Sequence, residues 1–450
     1  MSGLYARAGY FWEQFKLSIW LIPLSMSISA LILAILTLEL DYRFGSFTTE
    51  HFKLLRIDAQ GARQLVSVIS GAMMTITGVV FSISIVTLAL ASNQFGPKIL
   101  RNYLRDTGNK IVLGLFVSTF IYGLMILASI DTGQGGFVPL WSVLTCIVLT
   151  MLSIGALIYY IHNISTAIQA DHIIALIGEE LNEAIDKSLV EFDTEDSTSQ
   201  TIEQENRDLN WKDKPAIKLY SAHSGYIQTI DYQGLVACAT DYEAFISIKK
   251  RAGHFIIKGA SIGEIYRQGE EKGNDTEQEI DMDLIFKNVL FGRQRTPIQD
   301  IEFSITQLLQ IALRALSPGI NDSMTGITCI NWLGSSLGRM AQCSFPGANF
   351  VDESGRLRVE SKNFSFKGAV DAVFDPLRQC ARNNEMVAIH LLDTLYQILD
   401  SCRHAPYHKT LLSQAEMIYN DCKQTFKADL DLQAATERWH QCQRLCDKTN

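Results

Sequence analysis

Four apolar runs occupy the first third of the chain, at about residues 17–38, 66–92, 111–130 and 137–161. Each is long enough for a helix to cross a hydrocarbon layer about 30 Å thick. The first run is too long for a signal core and lacks a small-residue cleavage site after it, so it is expected to persist as a span. The last two runs are separated by SIDTGQGGFVP, where Gly133, Gly135, Gly136 and Pro139 predict a tight turn and hence a transmembrane hairpin. Beyond them, Ile168, Ile173, Ile174, Ile177, Leu181 and Ile185 keep helical spacing. The fourth helix is therefore expected to continue as an amphipathic stalk over 166–192. An acidic, hydroxyl-rich linker follows at 193–215.

From 216 to 296 the period changes to two. GYIQTIDYQGLVACAT and AFISIKKRAGHFIIKGASIGEIY predict short strands, broken by Gly253, Gly259 and Gly263. The second piece resembles half of a lipoyl- or biotinyl-type barrel-sandwich domain, but it has no Met-Lys-Met carrier hairpin, so no covalent cofactor is expected. Helical patterns resume over 297–450. The predicted architecture is an α-helical membrane protein with four spans, residues 1–165. An α+β cytoplasmic domain follows, with a small β-barrel- or sandwich-like part and a helical C-terminal part.

The second run is unusual. Wound at about 100° per residue, it places Ser67, Ser70, Gly71, Thr75, Thr77, Gly78, Ser82, Ser84 and Ser92 on roughly half of its circumference. Large apolar residues take the other half, and Thr87 is the one hydroxyl out of place. Two explanations compete. Small and hydroxyl residues let helices approach and bond across an interface. Alternatively, the seam of Ser67, Ser70, Gly71, Thr77, Gly78 and Ser84 lines a water path at an oligomer axis.

Charge separates the two halves. Through residue 165 the chain has 10 Lys/Arg against 7 Asp/Glu, leaving 29 basic and 41 acidic residues beyond; +3 and −12 together make the net −9. An acidic soluble half argues against nucleic acid as a partner. Arg7 and Lys16, then Lys98, Arg101, Arg105 and Lys110 in the second loop, favour cytoplasmic termini in an inner membrane, although Arg43, Lys53, Arg56 and Arg63 weaken the asymmetry. Tyr10, Phe11, Trp12, Phe15 and Trp20 suggest an interfacial belt. No charged residue lies mid-span, which disfavours a proton-coupled carrier.

In the stretch 291–334, Thr296, Pro297 and Gln299 predict a helix start, with the helix running to Leu316. Ser317-Pro318-Gly319 ends it and Asp322 can cap the next helix. Arg293, Arg295, Asp300, Arg314, Asn321 and Asp322 crowd these turns as either a polar lock or a small-anion or subunit-contact site. ASNQFGPKILRNYLRD, RAGHFIIKGASIGEI, RTPIQDIEF and IALRALSPGIND resemble the bacterial family of predicted membrane proteins called domain of unknown function 2254. The resemblance covers nearly the whole chain, with Ser323 standing where many members are expected to have Pro. It implies a multi-span bacterial membrane protein with a cytoplasmic C-terminal domain, and it carries over no catalytic residues.

Catalytic patterns are weak. Gly334-Ser335-Ser336-Leu337-Gly338, with Asp393 and His404 downstream, mimics a hydrolase elbow, but INWLGSSLGRM reads as a helix rather than a strand–turn. Cys402, His404, His408, Cys422, His440, Cys442 and Cys446 fit no compact zinc spacing. No catalytic, metal or cofactor residue is assigned. The leading expectation is a homo-oligomeric passive channel with an acidic vestibule that concentrates small cations. The alternative is a membrane-anchored scaffold or sensor binding a partner or small ligand.

Overall fold

The computed structural model describes residues 20–51, 58–95, 107–131, 138–167, 169–191, 211, 215–267, 281–345, 347–362 and 364–449. Several expectations lie outside these residues: Arg7 and Lys16, the aromatic residues at 10–15, Lys53 and Arg56, the second-loop residues Lys98, Arg101 and Arg105, the turn glycines at 133–136 and most of the acidic linker. The chain divides into two compact units, Met1–His172 and Ile173–Asn450.

The first unit is built from α1 (Leu21–His51), α2 (Ala59–Phe95), α3 (Thr107–Ser129) and α4 (Leu140–Ala167). Each contains a stretch long and apolar enough to cross a membrane. The third is the most enclosed, with 44% of its most apolar window buried against 17% for the second. Packing is therefore organised around α3. Glycines set its approach to its neighbours: a Cβ on Gly114 would lie 3.2 Å from the Pro23 Cα, and one on Gly123 would lie 2.3 Å from the Ser70 Oγ. Two apolar layers fill the interior. One holds Ala34, Ala62, Val66, Tyr122 and Ile126. The other holds Met73, Val80, Phe116 and Tyr160.

The second unit begins in a separate helix, α5 (Ala170–Ser188), where one continuous stalk was expected. Its Ile173, Ile174, Ile177, Leu181 and Ile185 are buried. The next elements are β1 (Val190–Glu191), β2 (Ala216–Tyr220), β3 (Gly225–Ile230), α6 (Tyr232–Asp241), β4 (Ala244–Ile248), β5 (Phe255–Ile256), β6 (Ser261–Arg267), α7 (Met282–Phe286) and β7 (Val289–Gly292). Then come α8 (Ile301–Ala315), α9 (Ser323–Met340), β8 (Cys343–Ser344), β9 (Asn349–Val351) and β10 (Leu357–Ser361). Four helices close the unit: α10 (Phe366–Ala381), α11 (Glu385–Ser401), α12 (Ala405–Thr425) and α13 (Asp429–Thr449). The apolar face of α5 lies on α9, where Gly178 meets the Trp332 ring and Asn182 accepts a 2.8 Å bond from Ser336, while Glu179, Glu183 and Lys187 on its other face are exposed.

The β-rich part corrects the expected barrel. Its sheets are open: a five-stranded sheet in the order β2-β6-β4-β10-β9 and a three-stranded sheet in the order β5-β3-β7, beside the β1-β8 pair. The large sheet recruits β9 and β10 from residues 349–361, and β10 runs parallel to β4, so residues 216–296 do not close on themselves. The segment YQGLVACATD, read as strand, is the helix α6. Asp231 caps it by accepting from the Gly234 amide, and Leu235, Cys238 and Ala239 are buried at helical spacing. A single apolar core containing Leu219, Ile227, Leu235, Ile246, Ile265 and Val359 joins α6 to both larger sheets.

Eight of the nine cysteines are buried and Cys380 is exposed. In the C-terminal helices, Cys442 donates to the Leu392 carbonyl and Cys446 to the His408 carbonyl. Burial pushes the Cys422 and Cys442 thiols up to about 12. Maleimide labelling of the native protein is therefore expected to modify Cys380 alone. Labelling of Cys422 or Cys442 before unfolding, read by peptide mass, would contradict this packing.

Candidate functional site

Two groups of residues carry candidate chemistry, one in each unit. In the membrane unit the decisive group is a carboxylate. Asp41, on α1, is 1% exposed. Its two oxygens accept from the Trp141 amide (2.8 Å), the Ser142 amide (2.9 Å) and the Ser142 hydroxyl (2.7 Å). The first amides of a helix have no intrahelical acceptor. Asp41 supplies one to α4 from another helix and sets a negative charge at the positive end of its dipole. The Tyr122 hydroxyl donates to the Ser142 carbonyl (3.1 Å) and lies 2.9 Å from the Thr37 hydroxyl. Nothing in the local sequence marks a role for Asp41, because its partners lie a hundred residues away.

Other buried polar groups continue along α4. The Thr119 and Ser153 hydroxyls lie 3.1 Å apart. The Ser84 and Tyr160 hydroxyls lie 2.7 Å apart, and both reach the Val80 carbonyl, at 2.9 and 3.0 Å. Asn163 donates to Asn109 at 3.3 Å. From Ser142 to Asn163, α4 rises about 30 Å, the thickness of the hydrocarbon layer. The interior of the helix bundle thus carries a ladder of hydroxyl and amide pairs.

The candidate seam on α2 divides against this interior. Ser70 is 3% exposed and lies over Gly123; Thr77 and Ser84 are half-buried, and Thr77 donates to the Met73 carbonyl at 2.6 Å. Thr87, the hydroxyl out of place on the wheel, is 4% exposed and belongs to the same packed face. Ser67, Gly71, Thr75, Gly78 and Ser82 are exposed. A Cβ on Gly71 or Gly78 would meet nothing within 4 Å. The seam is therefore centred roughly a quarter-turn from the packed face. Its Ser70–Thr77–Ser84 edge is internal, and its Ser67–Gly71–Gly78 edge points away from the bundle.

In the second unit the six lock residues fall into two clusters, one at each end of α8. Fifteen helical residues separate them by about 20 Å. At the first end, Arg295 binds Asp300 through two bonds, 2.7 Å from Nε and 2.9 Å from Nη2, and Asp300 is 4% exposed. Gly253 lies against this carboxylate with φ +90°, and a Cβ there would overlap it. Arg251 pairs with Glu302. Gln299 accepts from the Ile230 amide (2.9 Å) and donates to its carbonyl (3.1 Å), so it finishes β3. The expected helix start is thus corrected. With Gln299 committed to β3, α8 begins at Ile301, and Asp300 is held by Arg295 and makes no side-chain cap.

At the other end, the Asp322 amide donates to the Ala315 carbonyl (2.8 Å), and Asn321 adopts φ +51°. Asp322 accepts from the Thr325 amide and hydroxyl at 3.1 and 2.6 Å, which hold its carboxyl below the usual range. Among the described residues Arg293 and Arg314 form no ion pair. The contacts present are Arg295 to Asp300 at one end of α8 and Asp322 to Thr325 at the other.

Between α9 and α11 lies an open groove of ≈ 450 Å³, which the sequence did not signal. Asn331, Ser335, Arg339 and Gln342 face Thr394, Gln397 and Ser401 across it. A Cβ on Gly334 would sit 2.3 Å from Thr394, so this glycine permits the helices' close approach. The Gly334–Gly338 stretch is helical throughout.

Asp41→Ala is expected to lower the thermal stability of the detergent-solubilised protein by about 2–4 kcal/mol, because a buried helix start loses its charged acceptor. Gly123→Val should also destabilise, whereas Gly78→Ala, in protein diluted so that no second copy lies against α2, should be neutral or stabilising by about 0.5–1 kcal/mol. Equal effects at the two glycines would contradict the inward and outward assignment. Asp322→Ala should cost about 1 kcal/mol through loss of its cap, measured by the same melts.

Residues 16–397 match the family described as "Predicted membrane protein (DUF2254)". An uncharacterised protein of Mycobacterium bovis and another of Mycobacterium tuberculosis are each 30% identical over 377 residues. Each alignment covers 82% of this chain and 70% of the relative. No solved structure matches the chain. A match over residues 16–397, a stretch that includes the four apolar helices and both ends of α8, places the chain in the DUF2254 family of predicted membrane proteins.

Proposed function

We propose that this protein is a non-enzymatic, homo-oligomeric permeation protein of the bacterial inner membrane, with both termini cytoplasmic. Its copies meet along the outward edge of α2. The observation that carries this reading is the exposed row of Ser67, Gly71, Thr75, Gly78 and Ser82 on a membrane-length helix. Inside the protomer, small residues are matched by a close neighbour, as at Gly114 and Gly123. Gly71 and Gly78 have none, and glycine in a helix interior costs about 1 kcal/mol relative to alanine. Close approach of another helix explains their presence, and the exposed hydroxyls then face that helix or a narrow aqueous path in place of lipid. The acidic C-terminal half favours small cations as the permeant species.

One observation favours a second reading. The polar groove between α9 and α11 is large enough for a small ligand and suits a membrane-anchored sensor. The two readings differ in which residues matter. Under the permeation reading, Gly78→Cys cross-links copies in the membrane, and Gly71→Leu with Gly78→Leu abolishes both assembly and cation flux in liposomes. Ser70→Ala and Ser84→Ala leave flux within about twofold, because those hydroxyls act inside the protomer. A monomer by mass with no flux under voltage or tension would end this reading. Functional loss confined to Arg339→Gln and Gln397→Leu would establish the other.

A further inference from the structure

The two segments that meet beside β5 carry charge unlike the rest of their unit. Residues 215–230 and 244–262 contain Lys218, Lys249, Lys250, Arg251 and Lys258 and no carboxylate, in the half of the chain that carries the excess of acid. Backbone bonds hold the segments together. The Ser221 amide donates to the Ala260 carbonyl at 3.0 Å, the Gly259 amide to the Ser221 carbonyl at 2.8 Å, and the Lys258 amide to the Ser224 hydroxyl at 2.8 Å. The Ile257 carbonyl accepts from the Ala260 amide at 2.9 Å and closes a turn, with Gly259 at φ +84°. The ribbon so formed has a fixed shape.

Large apolar side chains project from it. Ile257 is 67% exposed, and Phe255 and Tyr220 are each 55% exposed. Phe255 is set in place by an edge-on contact with Tyr226, centroids 5.0 Å apart. Lys249 is engaged by Glu264 and Arg251 by Glu302. Lys250 and Lys258 add positive charge, Lys218 stands opposite Glu264 across β2 and β6, and Lys218 and Lys258 are exposed beside the apolar residues. The His254 pKa is lowered by burial and then by Arg251, with Lys250 and Lys362 adding to the effect and Glu302 opposing it.

We propose that this ribbon docks on the surface of an anionic bilayer. Phe255, Ile257 and Tyr220 enter the interfacial layer, and Lys218, Lys250 and Lys258 lie over lipid headgroups. Charge complementarity selects this occupant. A lysine held near an anionic leaflet raises partitioning about fivefold, and the long lysine stems reach headgroups while the rings sit deeper. The same chain carries four helices apolar enough to cross a membrane, so a bilayer is the surface at which it resides. The inference is independent of whether the protein conducts.

The test uses the full chain with Cys380→Ser, so that a fluorophore sensitive to polarity can be placed at Ile257→Cys. The protein is reconstituted in phosphatidylcholine vesicles, with or without about 30% phosphatidylglycerol. With the anionic lipid, the emission should shift to the blue and iodide quenching should fall about threefold or more, both reversed by about 0.5 M salt or by Lys218→Glu, Lys250→Glu and Lys258→Glu together. The same label at Met386, 49% exposed, should respond to neither lipid. Identical emission and quenching in both vesicles would overturn the proposal. So would protection that persists in detergent and rises with protein concentration, which would assign the ribbon to a protein partner. Thermal melts of the charge-reversed variant confirm that it is folded.

Discussion

In hydrocarbon no water is available to a polar group, so a hydroxyl, carboxylate or helix end left without a partner inside the protein is costly. That constraint shapes the membrane unit. Asp41 answers it at the start of α4, where three donors converge on one carboxylate. The pairs Thr119–Ser153 and Ser84–Tyr160 answer it deeper in the bundle. These contacts fix the rotation of α2, α3 and α4 relative to one another, because a hydroxyl pair tolerates less than an ångström of misplacement, whereas apolar surfaces alone can slide. The rotation in turn decides which edge of the α2 seam is enclosed.

The C-terminal unit solves a different problem with similar chemistry. Its open sheets need attachment to the helices that follow, and RTPIQD supplies it. Gln299 completes β3, while Arg295 and Asp300 form a buried bidentate pair over Gly253. An aspartate left there without its arginine would strand a buried charge, so the two residues depend on each other. At the far end of α8, Asn321 and Asp322 turn the chain back into α9. The groove between α9 and α11 then exists because Gly334 lets the helices approach and polar residues line the opening.

Much of this was legible in the chain and some was not, for identifiable reasons. Run length located the four membrane helices, and Asp322 was visible as a cap because its partner is three residues away. The α2 seam was visible as a face, but a helical wheel has no external reference. It could not say that Ser70, Thr77 and Ser84 turn inward while Ser67, Gly71 and Gly78 turn outward. Asp41 was silent because its partners are a hundred residues distant. YQGLVACATD read as strand because its short apolar run fits period two as well as a single helical turn, and the Asp231 cap decides between them. The barrel expectation failed because β10, from 357–361, inserts beside β4 and carries the sheet onward.

The orientation of α2 decides which edge of the seam is enclosed. Single spin labels placed along residues 66–89 of the reconstituted protein, read for collision with oxygen dissolved in the bilayer, test it most directly. Minima are expected at positions 70, 77 and 84, with high values at Val79 and Val86 and, if copies meet along α2 as proposed, low values at 71 and 78 that rise when the protein is diluted to monomers. Oxygen access at 70, 77 and 84 equal to that at Val79 and Val86 would contradict that orientation.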